Sequence, residues 1–262
     1  MSIFQPNFEH PGIGPENEPP RSPVYLFFRN LGTRFFKLIL LNIVFFVLVL
    51  PFYCWFINRI NMYCVDKNIG IIGMLPAVIS YAAGSFPEWL CVLLFVISAL
   101  VLGPACAGLT YVVFRYASGE HAWVVSDFID VAIKNLIQAL PIGLLDVIVA
   151  YATQAYLFSE ELHGLLLVLW CILLYLYIGF RAYIYILIDW TDLSLFDKCK
   201  NAIILGLISG WRITVLILVI IALLIAAGYI DFILVPVFAF SFFSFSACAL
   251  VRPVLKKHLN FR

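Results

Sequence analysis

The sequence predicts an all-α, polytopic membrane protein with six transmembrane helices, both termini on the cytoplasmic side of a plasma membrane, and one membrane domain over residues 24–262. Three observations predict it. Hydrophobic residues make up 64% of the 262 and charged residues 12%, against roughly 45–50% and about 25% in soluble domains, and the mean hydropathy is +1.05. So little charge cannot coat a water-soluble globule. Uncharged stretches recur at about the 20 residues that a helix needs to cross a hydrocarbon core of about 30 Å. Lys and Arg, finally, cluster in alternate connections, as the positive-inside rule requires. A net charge of +1 gives no field for a polyanion, so the expected partner is the bilayer and not nucleic acid.

Taken in order, residues 1–23 contain six prolines with Gly, Asn and Glu, a composition that buries no apolar surface and predicts a disordered tail. Residues 25–37 alternate aromatics with bases and suit an interfacial helix that turns into the bilayer at the first span. The spans are expected at about 38–57, 89–114, 136–157, 164–188, 205–229 and 232–251. A signal peptide is not expected, because the first apolar stretch starts late, is too long for an h-region and lacks a cleavage site. Ile69–Ala83 contains Pro76 and is short, so it reads as a re-entrant or interfacial segment. With this layout the inner connections hold Arg21, Arg29, Arg34 and Lys37, then Arg115 and Lys134, then Arg181, Lys198, Lys200 and Arg212, then Arg252, Lys256, Lys257 and Arg262. Only Arg59 and Lys67 fall outside.

The seven cysteines show no CxxC and no Cys/His spacing of a zinc site, so no metal or cofactor is expected. They read as small hydrophobes, in preference to an outer-face disulfide among Cys54, Cys64 and Cys91. Trp55, Trp89, Trp123, Trp190 and Trp211 fall near expected boundaries, as interface anchors do.

One pattern recurs. Tyr111, Phe114 and Arg115 are followed by Lys134-Asn135, and Tyr177, Phe180 and Arg181 by Lys200-Asn201, at a constant offset of 66 residues. Spans 2–3 and 4–5 therefore read as parallel copies of one hairpin, which would put Arg181 near the inner interface and start span 5 near Asn201. Asp146 is the one carboxylate well inside a span. A charge at that depth costs about 2.5 kcal/mol or more and calls for a partner. The offset nominates Arg212, and Arg181 is the other cation within reach. Such a pair either lines a polar path or pins the two hairpins in register; a protonated, hydrogen-bonded Asp146 would also serve, and the structural readings are favoured.

Residues 103–135 carry the densest local signal. Gly103-Pro104 should break or kink span 2, and Gly108 with Ala105 and Ala107 makes a small-residue face for close helix approach. Ser126-Asp127 stands where an N-cap belongs. Glu120-His121 near Asp127 and Asp130 could imitate an acid/base or metal cluster, but a solvated turn is the plainer reading. No H-E-x-x-H, G-x-S-x-G or phosphate-cradling loop occurs, so no catalytic residues are assigned and no enzymatic activity is expected. Gly206 and Gly210 could form a dimerisation face, with packing inside the chain preferred; the oligomeric state stays open.

The G-P-A-x-A-G-x-x-Y run at 103–111, Arg115, Gly119-Glu120, Ser126-Asp127-Phe128 and Lys134-Asn135 resemble the YesL-type family of bacterial membrane proteins, whose biochemical activity is unknown. Leu41-Asn42 and Lys200-Asn201-Ala202 extend the resemblance, and residues 52–100 are longer than in shorter members. The resemblance implies an accessory role beside carbohydrate ABC-type uptake, with permease subunits as partners. The alternative is a small secondary transporter or channel-like protein acting alone through a polar path at Asp146.

Overall fold

The computed structural model describes residues 23–66, 87–157, 164–229 and 234–259. Among these residues every regular element is a helix: α1 Pro23–Asp66, α2 Glu88–Ala117, α3 Ser126–Lys134, α4 Leu136–Leu157, α5 Gly164–Trp190, α6 Leu195–Ile208, α7 Gly210–Tyr229 and α8 Leu234–Leu259. α1, α2, α4 and α5 are long and apolar enough to cross a membrane, and the bent pair α6–α7 makes a fifth candidate. Within α8, Phe240–Leu255 is a shorter apolar stretch. The apolar outer surface fits that reading: Leu165, Leu169, Ile172 and Leu173 are all exposed along the first half of α5, a face that only lipid or protein covers at low cost. The molecule is a helical membrane protein by these criteria. The tail at 1–22 and the Ile69–Ala83 segment lie outside the described residues.

Four expectations are corrected. The interfacial helix and first span form one continuous α1, with no turn near Lys37. Its polar residues reach instead to the end of α2 and the α2–α3 connection, where Asn30 Nδ2 donates to Ala117 O (3.2 Å) and Arg34 to Glu120 O (2.8 Å) and Gly119 O (3.3 Å). Of the break or kink expected at Gly103-Pro104, the break does not occur, and α2 runs on through Pro104. The glycine serves packing: a Cβ on Gly103 would stand 2.1 Å from Ala139 O, and one on Gly143 2.3 Å from Gly103 N, so α2 and α4 touch backbone to backbone. The fifth span does not run from 205 as one rod, because α6 and α7 meet at 86°. Ser209 Oγ there donates back to Leu205 O and Gly206 O, the kind of back-bonding that bends helices. Trp55, lastly, is buried against Phe52 and Phe95 and does not anchor an interface.

The repeat is also modified. A long helix, a short helix, a break and another long helix do occur twice, as α2–α3–α4 and α5–α6–α7. The landmarks are out of phase, however. Arg115 sits in the last turn of α2, whereas Arg181 lies nine residues before the end of α5; the breaks come at Asn135 and Ser209. Ala182–Trp190 extends α5 by more than two turns, and the connection 191–194 is correspondingly shorter than 118–125. A constant offset cannot survive that exchange.

α1 and α8 run antiparallel. Asn42, 1% exposed, accepts the Ser241 backbone N–H at 2.7 Å, and Ser241 Oγ donates to Leu38 O at 3.1 Å. A polar group in an apolar bundle is retained only when its partner is in place, so this pin sets the register of the two helices.

Candidate functional site

α4 places Asp146 near its midpoint, about 15 Å of helix beyond Leu136 at 1.5 Å per residue, and its side chain is 5% exposed. Opposite stands the face of α5 that carries Tyr177, Arg181 and Tyr185. Their spacing of four residues lays them one above another on a single stripe. Tyr177 Oη donates to Asp146 Oδ1, Tyr185 Oη to Oδ2 at 2.7 Å, and Arg181 Nε to Oδ2 at 3.3 Å. Arg181 Nη2 also donates to Cys106 Sγ on α2 at 3.2 Å, and its guanidinium lies 5.6 Å from the Tyr185 ring centroid. A carboxyl that accepts from three donors has most of its roughly four acceptor positions filled, which offsets part of the cost of burying it.

Arg181, then, is the side chain brought to Asp146, and Arg212 is not. Arg212 lies in the first turn of α7, over the Trp211 ring at 4.9 Å. The offset that nominated it fails for the reason given above. Tyr177 stood in the sequence only as a landmark of the repeat, and Tyr185 and Cys106 were not singled out, although the Tyr-x3-Arg-x3-Tyr stripe opposite a lone intramembrane acid was a readable signal.

The Asp146 group borders a cavity of about 250 Å³ lined by α1, α2, α4, α5 and α8. About a third of the Arg181 side chain remains uncovered, and Arg181 lines both this cavity and a smaller one of about 50 Å³ beside it. A polar floor under apolar walls is the usual make-up of a small-molecule site.

A second polar cluster joins the facing ends of α4, α5 and α6. Asn135 Nδ2 donates to Asp189 Oδ1 at 2.9 Å, and the buried Lys198 donates to Gln138 Oε1 at 2.6 Å and to Ile188 O at 3.3 Å. Lys198, expected in an open inner connection, is instead 1% exposed. Replacing it by Met strands both acceptors, and an unsatisfied buried acceptor costs about 1–3 kcal/mol. We expect Lys198→Met to lower the thermal unfolding midpoint clearly in detergent, and the exposed Lys200→Met to leave it unchanged; equal midpoints would remove the cluster's structural role.

The α2–α3 connection gathers the remaining candidates. Arg115 Nε meets Glu120 Oε2 at 3.2 Å, and its Nη1 lies 3.3 Å from Tyr111 Oη and 3.9 Å from Asp127 Oδ2. His121 packs edge-on against Trp123 at 5.0 Å and does not join the carboxylates. The cap differs from expectation: α3 starts at Ser126, and Asp127 accepts the Trp123 N–H at 2.9 Å from inside the first turn, while Ser126 Oγ reaches Asp130 at 3.4 Å. Gly108 admits α3 closely, since a Cβ there would lie 2.5 Å from Phe128 O. Lys134 is exposed at the end of α3. Gly206 packs on Gly179 within the chain, with a would-be Cβ 3.0 Å from Gly179 C. Cys54, Cys91, Cys106, Cys171, Cys199 and Cys248 are free thiols; the Cys64 side chain lies outside the described residues.

No protein-family profile, no curated protein and no solved structure matches the chain.

Proposed function

We propose that the chain is a six-span bacterial plasma-membrane protein of solute uptake, with both termini cytoplasmic, whose Asp146–Arg181 group binds a small solute inside the membrane domain. The observation that carries this reading is the buried ion pair opening onto a 250 Å³ cavity. Intramembrane charges are expensive, and they mark ligand paths when they border a cavity. The charge distribution of the sequence supports the six-span layout and its orientation.

A second reading is an accessory subunit of a carbohydrate ABC-type permease. The resemblance to the YesL-type family supports it, as does the exposed apolar side of α3 around Ile129 and Ile133, with Trp123 beside it, a face suited to a partner helix or to lipid. Reconstitution separates the two readings. Liposomes holding the protein alone, loaded with a defined mixture of monosaccharides, amino acids and monocarboxylates, should release at least one solute faster than protein-free liposomes. Asp146→Asn should slow that release about tenfold or more, a change of about 1.4 kcal/mol. No release of any solute, with a permease recovered stoichiometrically from native membranes, would favour the accessory role.

A further inference from the structure

The donors and acceptors around the cavity are unequally engaged. Asp146 already accepts from Tyr177, Tyr185 and Arg181. Arg181 has five guanidinium N–H donors, and among the described residues Asp146 and Cys106 take one each. The rest belong to the part of the side chain left uncovered beside the cavities. An incoming group must therefore bring acceptors. A cationic group would meet the Arg181 charge and an acid with most of its acceptor positions already taken. The opposite walls are aromatic, with Phe45, Phe46 and Phe52 from α1 and Phe240 and Phe243 from α8. Against them a polyhydroxylated solute would leave hydroxyls unpaired, at a cost of about 1–3 kcal/mol each. A dianion would set two charges against one shared guanidinium in a water-poor site.

The group that fits is planar and singly charged, on an apolar body. We infer that the cavity takes a small monocarboxylate with an aromatic or branched apolar body, its carboxylate on the free edge of Arg181 and its body among the phenylalanines. This inference rests on the proposed solute-binding role. A guanidinium offers two parallel N–H bonds to a carboxylate, so Arg181 can hold Asp146 through Nε and the ligand through its outer nitrogens. The volume of about 250 Å³ lies below the roughly 300–1,000 Å³ of drug-sized pockets, which restricts the body to about one ring. Thr110 and Ser244 line the same cavity and carry further hydroxyl groups.

The test uses the full chain in lipid nanodiscs, with benzoate, benzamide and benzylamine as probes of one shape and different charge. Benzoate should raise the thermal unfolding midpoint saturably, while benzamide and benzylamine leave it unchanged. Arg181→Gln should abolish the benzoate shift. Phe243→Trp, which fills the cavity and leaves the ion pair intact, should weaken benzoate binding about tenfold or more, and it serves as the variant of record should Arg181→Gln not fold. Equal shifts from benzamide or benzylamine, an undiminished benzoate shift in Phe243→Trp or Arg181→Gln, or no benzoate binding at all would overturn the inference. Release of a monosaccharide or an amino acid in the liposome experiment, with the monocarboxylates silent, would overturn this ligand class and leave solute transport standing.

Discussion

Gly143→Leu should yield little or no folded protein. A Cβ at this position would sit 2.3 Å from Gly103 N and 2.5 Å from Gly103 Cα, and neither is the yielding end of a side chain. Overpacking a core with side-chain atoms typically costs about 1–3 kcal/mol; here α2 and α4 must separate along their whole contact, so the loss exceeds that range. Even Gly143→Ala and Gly103→Ala should lower the unfolding midpoint sharply. Two other glycines act as controls of the same chemistry. A Cβ on Gly179 meets its nearest neighbour at 3.6 Å, and one on Gly32 meets nothing within 4 Å, so alanine at either should be tolerated. The readout is the monodisperse fraction on size-exclusion chromatography in mild detergent, with unfolding midpoints of what is recovered. A normal yield of Gly143→Leu would mean that α2 and α4 do not meet at this point.

Arg181→Met should destabilise the protein far more than Arg212→Met. Removing one partner of a buried pair costs roughly 3–5 kcal/mol, and Arg181→Met should fall toward the lower end, because Tyr177 and Tyr185 still donate to the stranded Asp146. Asp146→Leu should cost at least as much, since it leaves a cation within the bilayer and takes the acceptor from both tyrosines. Arg212 stands over Trp211, an arrangement worth about 0.5–1 kcal/mol at an exposed site. Unfolding midpoints of the three variants, measured in one detergent, give the order directly. A larger loss from Arg212→Met would restore the pairing that the sequence repeat suggested.

Much of the architecture was legible because apolar runs ended at recognisable signals. α4 occupies Leu136–Leu157, bounded by Lys134-Asn135, and α2 ends within a few residues of the Arg115 that marked it. The misreadings share one cause: local signals were given local consequences that tertiary contacts override. Pro104 does not break its helix, and Gly103 beside it serves the close approach of α4. The aromatic-basic stretch before Lys37 stays in line with α1, because Asn30 and Arg34 find carbonyls on the α2–α3 connection. The bend at Ser209 rests on a hydroxyl turned back onto its own helix, a choice that composition does not reveal. At the candidate site, the acid was visible from its depth alone. Its cation was misassigned because the repeat offset ignored the unequal connections 118–125 and 191–194. Tyr177, a repeat landmark, and Tyr185 were not read as partners of Asp146, because tyrosines in an apolar helix read as hydrophobes until a buried acid stands opposite them.

Arg181 and Asp146 act as one buried unit, and a double-mutant cycle tests that most directly. The unfolding midpoints of wild type, Asp146→Leu, Arg181→Met and the double variant should be strongly non-additive, with the double variant more stable than either single one, because it leaves no unpaired charge behind. Additive losses, with the double variant the least stable of the four, would show that the two side chains act independently, and would contradict both the pair and the ligand site built on it.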